Sequence, residues 1–196
     1  RTGLAMFTSM SVVFLIGTPF INFFSSKHIT NPIRKDGPDE HIIKKIGTPT
    51  MGGLLILIGI LFGTLLWADL QNPYIWVLLM VATSFGVLGA VDDYLKIKHK
   101  NSKGISSGMK IIFQIILSLI AVLVLLKFGN NEHLENLYFP FFKNLILHLG
   151  LFFIPFAIFI IVGSSNAVNL TDGLDGLATV PIILVAVSFT LICYVV

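Results

Sequence analysis

Long apolar runs recur along this chain of 196 residues, and they restrict its fold more than any other feature. A helix needs about 20 predominantly apolar residues to cross roughly 30 Å of hydrocarbon. Hydrophobic residues make up 55% of the chain and charged residues 12%, and the mean hydropathy of +0.90 is well above that of soluble domains. The sequence therefore predicts an all-α, polytopic helical membrane protein with no need for strands. Six spans are predicted, at residues 4–24, 51–68, 74–91, 109–128, 145–162 and 177–196.

Both ends of the chain lie close to or inside apolar runs. Arg1 leads almost directly into the first span without an initiator Met, and Val196 lies inside the sixth. We therefore expect a fragment of a longer protein, with residues 1–196 forming one membrane-embedded domain. The single cysteine, Cys193, excludes an intrachain disulfide and is expected to serve in packing.

Lysine and arginine are distributed unevenly among the predicted loops. The first loop (25–50) and the third, which starts near Lys96, carry most of them, whereas the second has none and the fourth has only Lys143. Cytoplasmic loops are enriched in Lys and Arg. We therefore predict that loops one and three face the cytoplasm and that the N-terminus is outside. Because successive loops lie on alternate sides of the membrane, the fifth loop, 163–176, is predicted to lie on the cytoplasmic side as well.

Asp92 and Asp93 close the third predicted span. A charged side chain at the centre of a membrane helix costs roughly 2.5–3.5 kcal/mol even on insertion scales, so carboxylates near hydrocarbon are candidates for function. Either carboxylate can pair with Lys96, at i+4 or i+3. Two interpretations stay open, a functional carboxylate pair and a solvated helix end with a local ion pair.

Amide or carboxyl side chains recur at every third position in the fifth loop, at Asn166, Asn169, Asp172 and Asp175. On an α-helix, neighbours in such a row touch while the outer pair diverges, whereas tighter 3₁₀ winding aligns all four. Gly173 and Gly176 indicate a helix end or a close backbone approach. These groups suit a metal ion, a phosphate network or a sugar, and the alternative is an ordinary polar loop.

The stretch GTPTMGG, residues 47–53, precedes the second span. Pro49 and Thr50 suit the start of a helix, whose unpaired N–H groups form an anion site. Lys44 and Lys45 add positive charge upstream, and the alternative is basic anchoring beside a capped helix. The sequence contains neither a P-loop nor a Rossmann fingerprint, and His28, His99, His133 and His148 show no metal-ligand spacing among themselves.

Three stretches, in this order, resemble motifs of the polyprenyl-phosphate N-acetylhexosamine-1-phosphate transferases. They are GTPTMGG at 47–53, VDDYLK at 91–96 and NAVNLTDGLDGLA at 166–178. Within that superfamily they are most similar to the motifs of the phospho-N-acetylmuramoyl-pentapeptide transferases. The resemblance covers the whole chain and implies about the first six of the family's ten spans.

The resemblance implies a definite reaction. These enzymes transfer phospho-MurNAc-pentapeptide from UDP-MurNAc-pentapeptide to undecaprenyl phosphate, which releases UMP and forms lipid I in peptidoglycan synthesis. They require Mg²⁺ and act on the cytoplasmic face of the bacterial inner membrane, in agreement with the predicted orientation. A metal ion and cationic side chains suit this chemistry, because the two phosphates repel each other. The expected partners also include the lipid bilayer and, at full length, a second copy of the protein, but no nucleic acid.

The resemblance also implies roles for individual residues. Asp92 and Asp93 would be the catalytic pair, with one acting as a base on the lipid phosphate or as a nucleophile. Asp92, Asp93 and Asp172 would be metal ligands, although the family's main ligand belongs to a later loop. The residues implied in substrate binding are Lys45, Thr50, Lys96, Lys110, Asn166, Asn169, Asp172 and Asp175.

One departure from the family keeps other interpretations open. The family's third catalytic aspartate and its histidine-rich motif belong to loops beyond Val196, so the chain by itself is expected to be inactive. A sister transferase that uses UDP-GlcNAc or another UDP-sugar is one alternative. An ion-coupled transporter is the other, but its charges would lie near the membrane midplane rather than at one face.

Overall fold

The computed structural model describes residues 1–26, 51–99, 104–129, 133–139, 142–171 and 176–195, with the backbone alone at 143 and 144. This described part consists of six α-helices, one 3₁₀ turn and one β-hairpin, which confirms the predicted helical class. The chain divides into two compact units, Arg1–Leu134 and Glu135–Val196, which are described separately. That residues 1–196 form one domain stays a prediction.

The first unit contains four apolar helices. They are α1 (Thr2–Ser26), α2 (Gly52–Trp67), α3 (Pro73–His99) and α4 (Ser107–Phe128). Three of them are long and apolar enough to cross a membrane, whereas α2 is apolar but shorter. Each helix packs against the next one in the chain, as expected for consecutive elements. The first four predicted spans are thus confirmed as helices, and α3 continues past its predicted end at Val91 to His99.

Two glycines of α2 allow the first two helices to approach closely. A Cβ atom on Gly63 would overlap the side chain of Ser9, and one on Gly59 would lie 2.7 Å from Val13 Cγ2. Positions four residues apart share a helix face, and small residues at this spacing are typical of helix contacts in membranes. The indole N–H of Trp67 donates to a threonine hydroxyl of α1 at 2.9 Å and further fixes this contact.

Replacing Gly63 with alanine is therefore expected to lower the thermal midpoint of the intact protein. The added methyl group overlaps Ser9 and forces α1 and α2 apart, and overpacking of this kind typically costs about 1–3 kcal/mol. Gly53→Ala is the matched control, because no atom of another described element lies within 4 Å of its Cβ position. Equal midpoints for the two variants would contradict the close helix contact.

The second unit consists of a short hairpin followed by two helices. Its elements are β1 (Asn136–Phe139), β2 (Phe142–His148), a 3₁₀ turn (Gly150–Phe152), α5 (Phe153–Thr171) and α6 (Thr179–Val195). The strands are antiparallel, with Tyr138 opposite Ile146. The segment Gly150–Thr171 is long and apolar enough to cross a membrane, and α6 is a shorter apolar helix.

The structure shifts the fifth predicted span towards the C-terminus. Residues 145–148 belong to β2, not to a span that starts at Leu145, and α5 continues beyond Val162 to Thr171. A short apolar run such as 145–147 satisfies either a strand or a helix, and pairing with β1 decides between them here. Gly150, with a φ of +51°, then separates the strand from the helix. The hairpin was not predicted from the sequence.

Candidate active site

A cluster of charged side chains occupies the C-terminal part of α3. We name it the carboxylate cluster, and it consists of Asp92, Asp93 and Lys96. The Lys96 Nζ atom lies 2.7 Å from Asp92 Oδ2 and 3.1 Å from Asp93 Oδ1. The lysine follows the aspartates by four and three residues, so all three side chains meet within one helical turn. The pairing predicted from the sequence is confirmed, and one lysine serves both carboxylates.

Asp92 is held by a second donor that comes from outside α3. The backbone N–H of Ile105 donates to Asp92 Oδ1 at 2.7 Å, so each oxygen of this carboxylate has a positively polarised partner. The charge of Lys110, in the first turn of α4, also interacts favourably with Asp92. Asp92 is only 7% exposed, and a buried carboxylate requires such partners. Asp93 is more accessible, with 30% of its side chain exposed.

The loop before α4 reaches Asp92 because it carries a glycine at the point of contact. A Cβ atom on Gly104 would overlap the Asp92 carboxylate and would lie 3.0 Å from the Asp92 carbonyl oxygen. Two residues later, the Ser106 hydroxyl accepts a hydrogen bond from the Met109 N–H at 3.4 Å and caps α4. The close approach of Gly104 and the start of α4 together aim the Ile105 amide at Asp92.

A row of polar side chains continues from the carboxylate cluster along α4. Lys110, Gln114 and Ser118 follow one another at four-residue intervals, which places them on the same helix face. Gln114 is 2% exposed and Ser118 is fully buried. Among the described residues, the Ser118 hydroxyl has no hydrogen-bond partner, an arrangement that costs about 1–3 kcal/mol. Buried polar side chains thus continue from the carboxylate cluster along α4, which packs against α3.

The other predicted site residues belong to the second unit or lie outside the described residues. Asn166 and Asn169 lie in the last turns of α5, in the second unit, and not in a loop as predicted. The Asn166 amide donates to the Val162 carbonyl oxygen at 2.8 Å, within its own helix. These two positions, three residues apart on an α-helix, are neighbours on its surface, and the described end of α5 shows no 3₁₀ winding. Lys45, Thr50, Asp172 and Asp175 lie outside the described residues.

The start of α2 contains a backbone conformation that was not predicted from the sequence. Met51 has φ 67° and ψ 22°, and it is the one described residue other than glycine with positive φ. The left-handed conformation costs an L-residue about 1–2 kcal/mol, so α2 begins only at Gly52. Pro49 and Thr50, the predicted helix start, lie outside the described residues. Strained backbone of this kind is often found at functional sites.

The residues present provide a small donor set for a divalent cation. Within the described ranges, no group of three or more His, Cys, Asp or Glu residues is placed to hold a metal ion. Mg²⁺, however, often binds one or two carboxylates and completes its shell with waters and substrate phosphates. The two aspartates fit that smaller set. Asp93 fits it better, because both oxygens of Asp92 are already engaged.

Comparisons with known proteins show the family of this chain. The model of the family "Glycosyl transferase family 4" matches residues 75–196, which include the carboxylate cluster. The chain belongs to this family. In addition, residues 45–57 match "Phospho-N-acetylmuramoyl-pentapeptide-transferase signature 1". The strained Met51 lies within this matched segment. The resemblance inferred from three motifs is confirmed.

Two relatives with the same name are similar along the whole chain. The phospho-N-acetylmuramoyl-pentapeptide-transferase of Pelagibacter ubique (strain HTCC1062) is 67% identical over 195 residues, which are 100% of this chain and 54% of the relative. The one from Phenylobacterium zucineum (strain HLK1) is 45% identical over 202 residues, covering 100% and 55% respectively. The chain thus spans about half the length of these curated relatives. The family membership and the four described helices that are long and apolar enough to cross a membrane together show a multi-pass membrane protein.

A glycine-to-alanine change at position 104 is expected to disturb the carboxylate cluster. The new methyl group overlaps the Asp92 carboxylate, so the loop must move away and the Ile105 hydrogen bond is lost. We expect a lower thermal midpoint of the intact protein. The control is Gly108→Ala, four residues further on, where no atom of another element in the described part of the chain lies within 4 Å of the Cβ position. It is expected to leave the midpoint unchanged or to raise it. Equally stable variants would contradict the role of Gly104.

Proposed function

We propose that the protein containing this chain transfers phospho-MurNAc-pentapeptide from UDP-MurNAc-pentapeptide to undecaprenyl phosphate, forming lipid I and UMP in peptidoglycan synthesis. The observation that carries this proposal is the carboxylate cluster within the matched family region, on a chain that is 67% identical to a relative bearing that transferase's name. The signature at residues 45–57 supports the same substrate class.

The geometry of the cluster supports different roles for its two carboxylates. Asp92 is buried and fixed by the Ile105 amide, and through its ion pair it holds Lys96 in place. Asp93 shares that lysine but is more exposed, so it is the better placed to meet a lipid phosphate and to accept its proton or attack the donor. Lys96 and Lys110 supply positive charge that reduces the repulsion between the two phosphate groups.

Mg²⁺ belongs to the same proposal. Asp93, with Asp92 beside it, would hold the ion together with oxygens of the substrate phosphates. When bound, the ion neutralises charge on the phosphates and stabilises the charge that develops on the leaving UMP. Asp172, the third proposed ligand, lies outside the described residues.

The orientation and the wider set of partners are also proposed. Lys96, Lys98 and His99 in the last turn of α3 support a cytoplasmic position for this end of the helix, because cytoplasmic ends of spans are rich in basic residues. This orientation places the N-terminus outside and the reaction on the cytoplasmic face of the inner membrane. A homodimer of the intact protein is proposed from the family resemblance alone.

Asparagine substitutions in the carboxylate cluster test the proposed function. We expect Asp93→Asn, in the intact protein, to reduce lipid I formation by a factor of about 10²–10⁴, the usual contribution of a positioned acid or base. Asp92→Asn is expected to reduce it as well, because Lys96 loses its buried charged partner. The assay follows transfer of a labelled phospho-sugar-peptide to undecaprenyl phosphate. Thermal midpoints measured in parallel separate loss of chemistry from loss of folding.

Asp69→Asn is the matched control for these variants. Asp69 precedes α3, at the end of that helix opposite to the cluster, and its carboxylate accepts a hydrogen bond from the Gln71 N–H at 3.1 Å. Its loss is expected to leave turnover close to that of the wild type. Near-normal turnover by both cluster variants would rule out the catalytic assignment.

A further inference from the structure

The backbone amide of Ile105 reaches the carboxylate cluster from a different part of the chain. It lies 2.7 Å from Asp92 Oδ1, thirteen positions away, whereas Lys96 belongs to the same helix as the aspartates. A backbone N–H has a fixed direction and does not titrate, unlike the ammonium group at the end of a flexible lysine side chain. The amide therefore provides a fixed donor for a carboxylate whose other partner is flexible.

This amide fixes the direction in which the Asp92 carboxylate points. The last torsion of an aspartate side chain is broad and roughly two-fold, so the side chain by itself does not decide where its oxygens lie. Because the Ile105 N–H holds Oδ1, the other oxygen, Oδ2, is directed at Lys96 Nζ, 2.7 Å away. Asp92 is buried, so water has little access to replace the amide as a donor.

The orientation of Asp92 in turn determines the position of Lys96. The ammonium group lies 2.7 Å from Asp92 Oδ2 and 3.1 Å from Asp93 Oδ1, so two carboxylates share it. Without the amide, Asp92 Oδ1 would be a buried acceptor without its donor, and it would draw the same ammonium group towards itself and away from Asp93. The amide thus affects Asp93, the more accessible carboxylate, without touching it.

We propose that the Ile105 N–H is a positioning group for the transfer reaction. Through Asp92 it keeps Lys96 between the two carboxylates, and it thereby sets the charge that Lys96 and Asp93 present to the substrate phosphates. Ile105 itself does not contact the substrate. This inference rests on the proposed function, because it assigns a role within that reaction. Small displacements of positioned groups lower the rate of a reaction strongly, so removal of this one N–H slows transfer in a protein that remains folded.

Ile105→Pro tests the proposal, because proline has no N–H. The substitution suits the position, since the φ of Ile105 is not positive and Gly104 before it has no side chain to clash with the proline ring. Ser107→Pro is the matched control, because it places a proline at the first residue of α4, where proline is favoured, and leaves the Ile105 N–H in place. Ser106, with φ −59° and ψ 141°, already has the conformation of a residue that precedes proline.

Lipid I formation by the intact protein is measured as kcat and KM for UDP-MurNAc-pentapeptide at saturating undecaprenyl phosphate. Binding of the same donor without the lipid substrate counts the folded molecules. We expect Ile105→Pro to lower kcat per folded molecule by a factor of up to about 10², with KM unchanged, and Ser107→Pro to keep the kcat of the unmodified protein. A merely structural contact would instead lower the number of binding-competent molecules and leave the kcat of each one unchanged.

The route through Asp92 is tested in a protein that already carries Asp92→Ala. There, Ile105→Pro is expected to cause no further loss of kcat, because effects of residues in one hydrogen-bond network do not add. Gly104→Ala displaces the loop but keeps its N–H groups, and it is expected to lower kcat per folded molecule as well. This second variant decides the question if the proline variant does not fold.

Three results would overturn the inference. They are an unchanged kcat in folded Ile105→Pro or in folded Gly104→Ala, an equal loss in Ser107→Pro, and the same fractional loss with and without the Asp92 carboxylate. If the unmodified protein forms no lipid I, the proposed function and this inference fail together. An active unmodified protein with an equally active Ile105→Pro variant overturns this inference alone.

Discussion

An ionised carboxylate at the end of an apolar helix requires donors close at hand, because hydrocarbon and packed side chains offer it no water. At Asp92 this requirement is met by Lys96 on one oxygen and by the Ile105 amide on the other. The first donor requires α3 to remain helical for another turn beyond the aspartates. The second requires the loop before α4 to approach α3 closely, which only a glycine at position 104 permits. The local structure between α3 and α4 is therefore organised around one buried charge.

The same arrangement gives the two adjacent aspartates different environments. Asp92 has little exposed surface and a donor on each oxygen, whereas Asp93 shares the lysine and remains accessible. We therefore propose that the two aspartates have different roles, with Asp92 fixing the cationic group and Asp93 meeting the substrate. The buried row of Gln114 and Ser118 extends the polar environment along α4. Since membrane interiors penalise polar groups, such a row is retained only where it contributes to structure or function.

Much of this arrangement follows from local spacing, and that part was predicted from the sequence. The apolar runs predicted the helices of the first unit, and the i+3 and i+4 positions predicted the Lys96 ion pairs. The Ile105 contact was not predicted, because it joins residues thirteen positions apart through a loop whose path no periodicity specifies. Gly104, placed just before a serine cap, was the one available signal. The hairpin was missed because the apolar run at 145–147 fits a strand and a span equally well.

The central claim concerns the substrate of the intact protein, and a transfer assay with two donors tests it most directly. Undecaprenyl phosphate is offered with radiolabelled UDP-MurNAc-pentapeptide or UDP-GlcNAc in separate reactions, and label in the lipid fraction is measured together with released UMP. We predict transfer from UDP-MurNAc-pentapeptide, equal molar release of UMP, and no comparable transfer from UDP-GlcNAc. Preferential transfer from UDP-GlcNAc would contradict the claim and identify a sister transferase. Absence of transfer from both donors by a folded protein would contradict it as well.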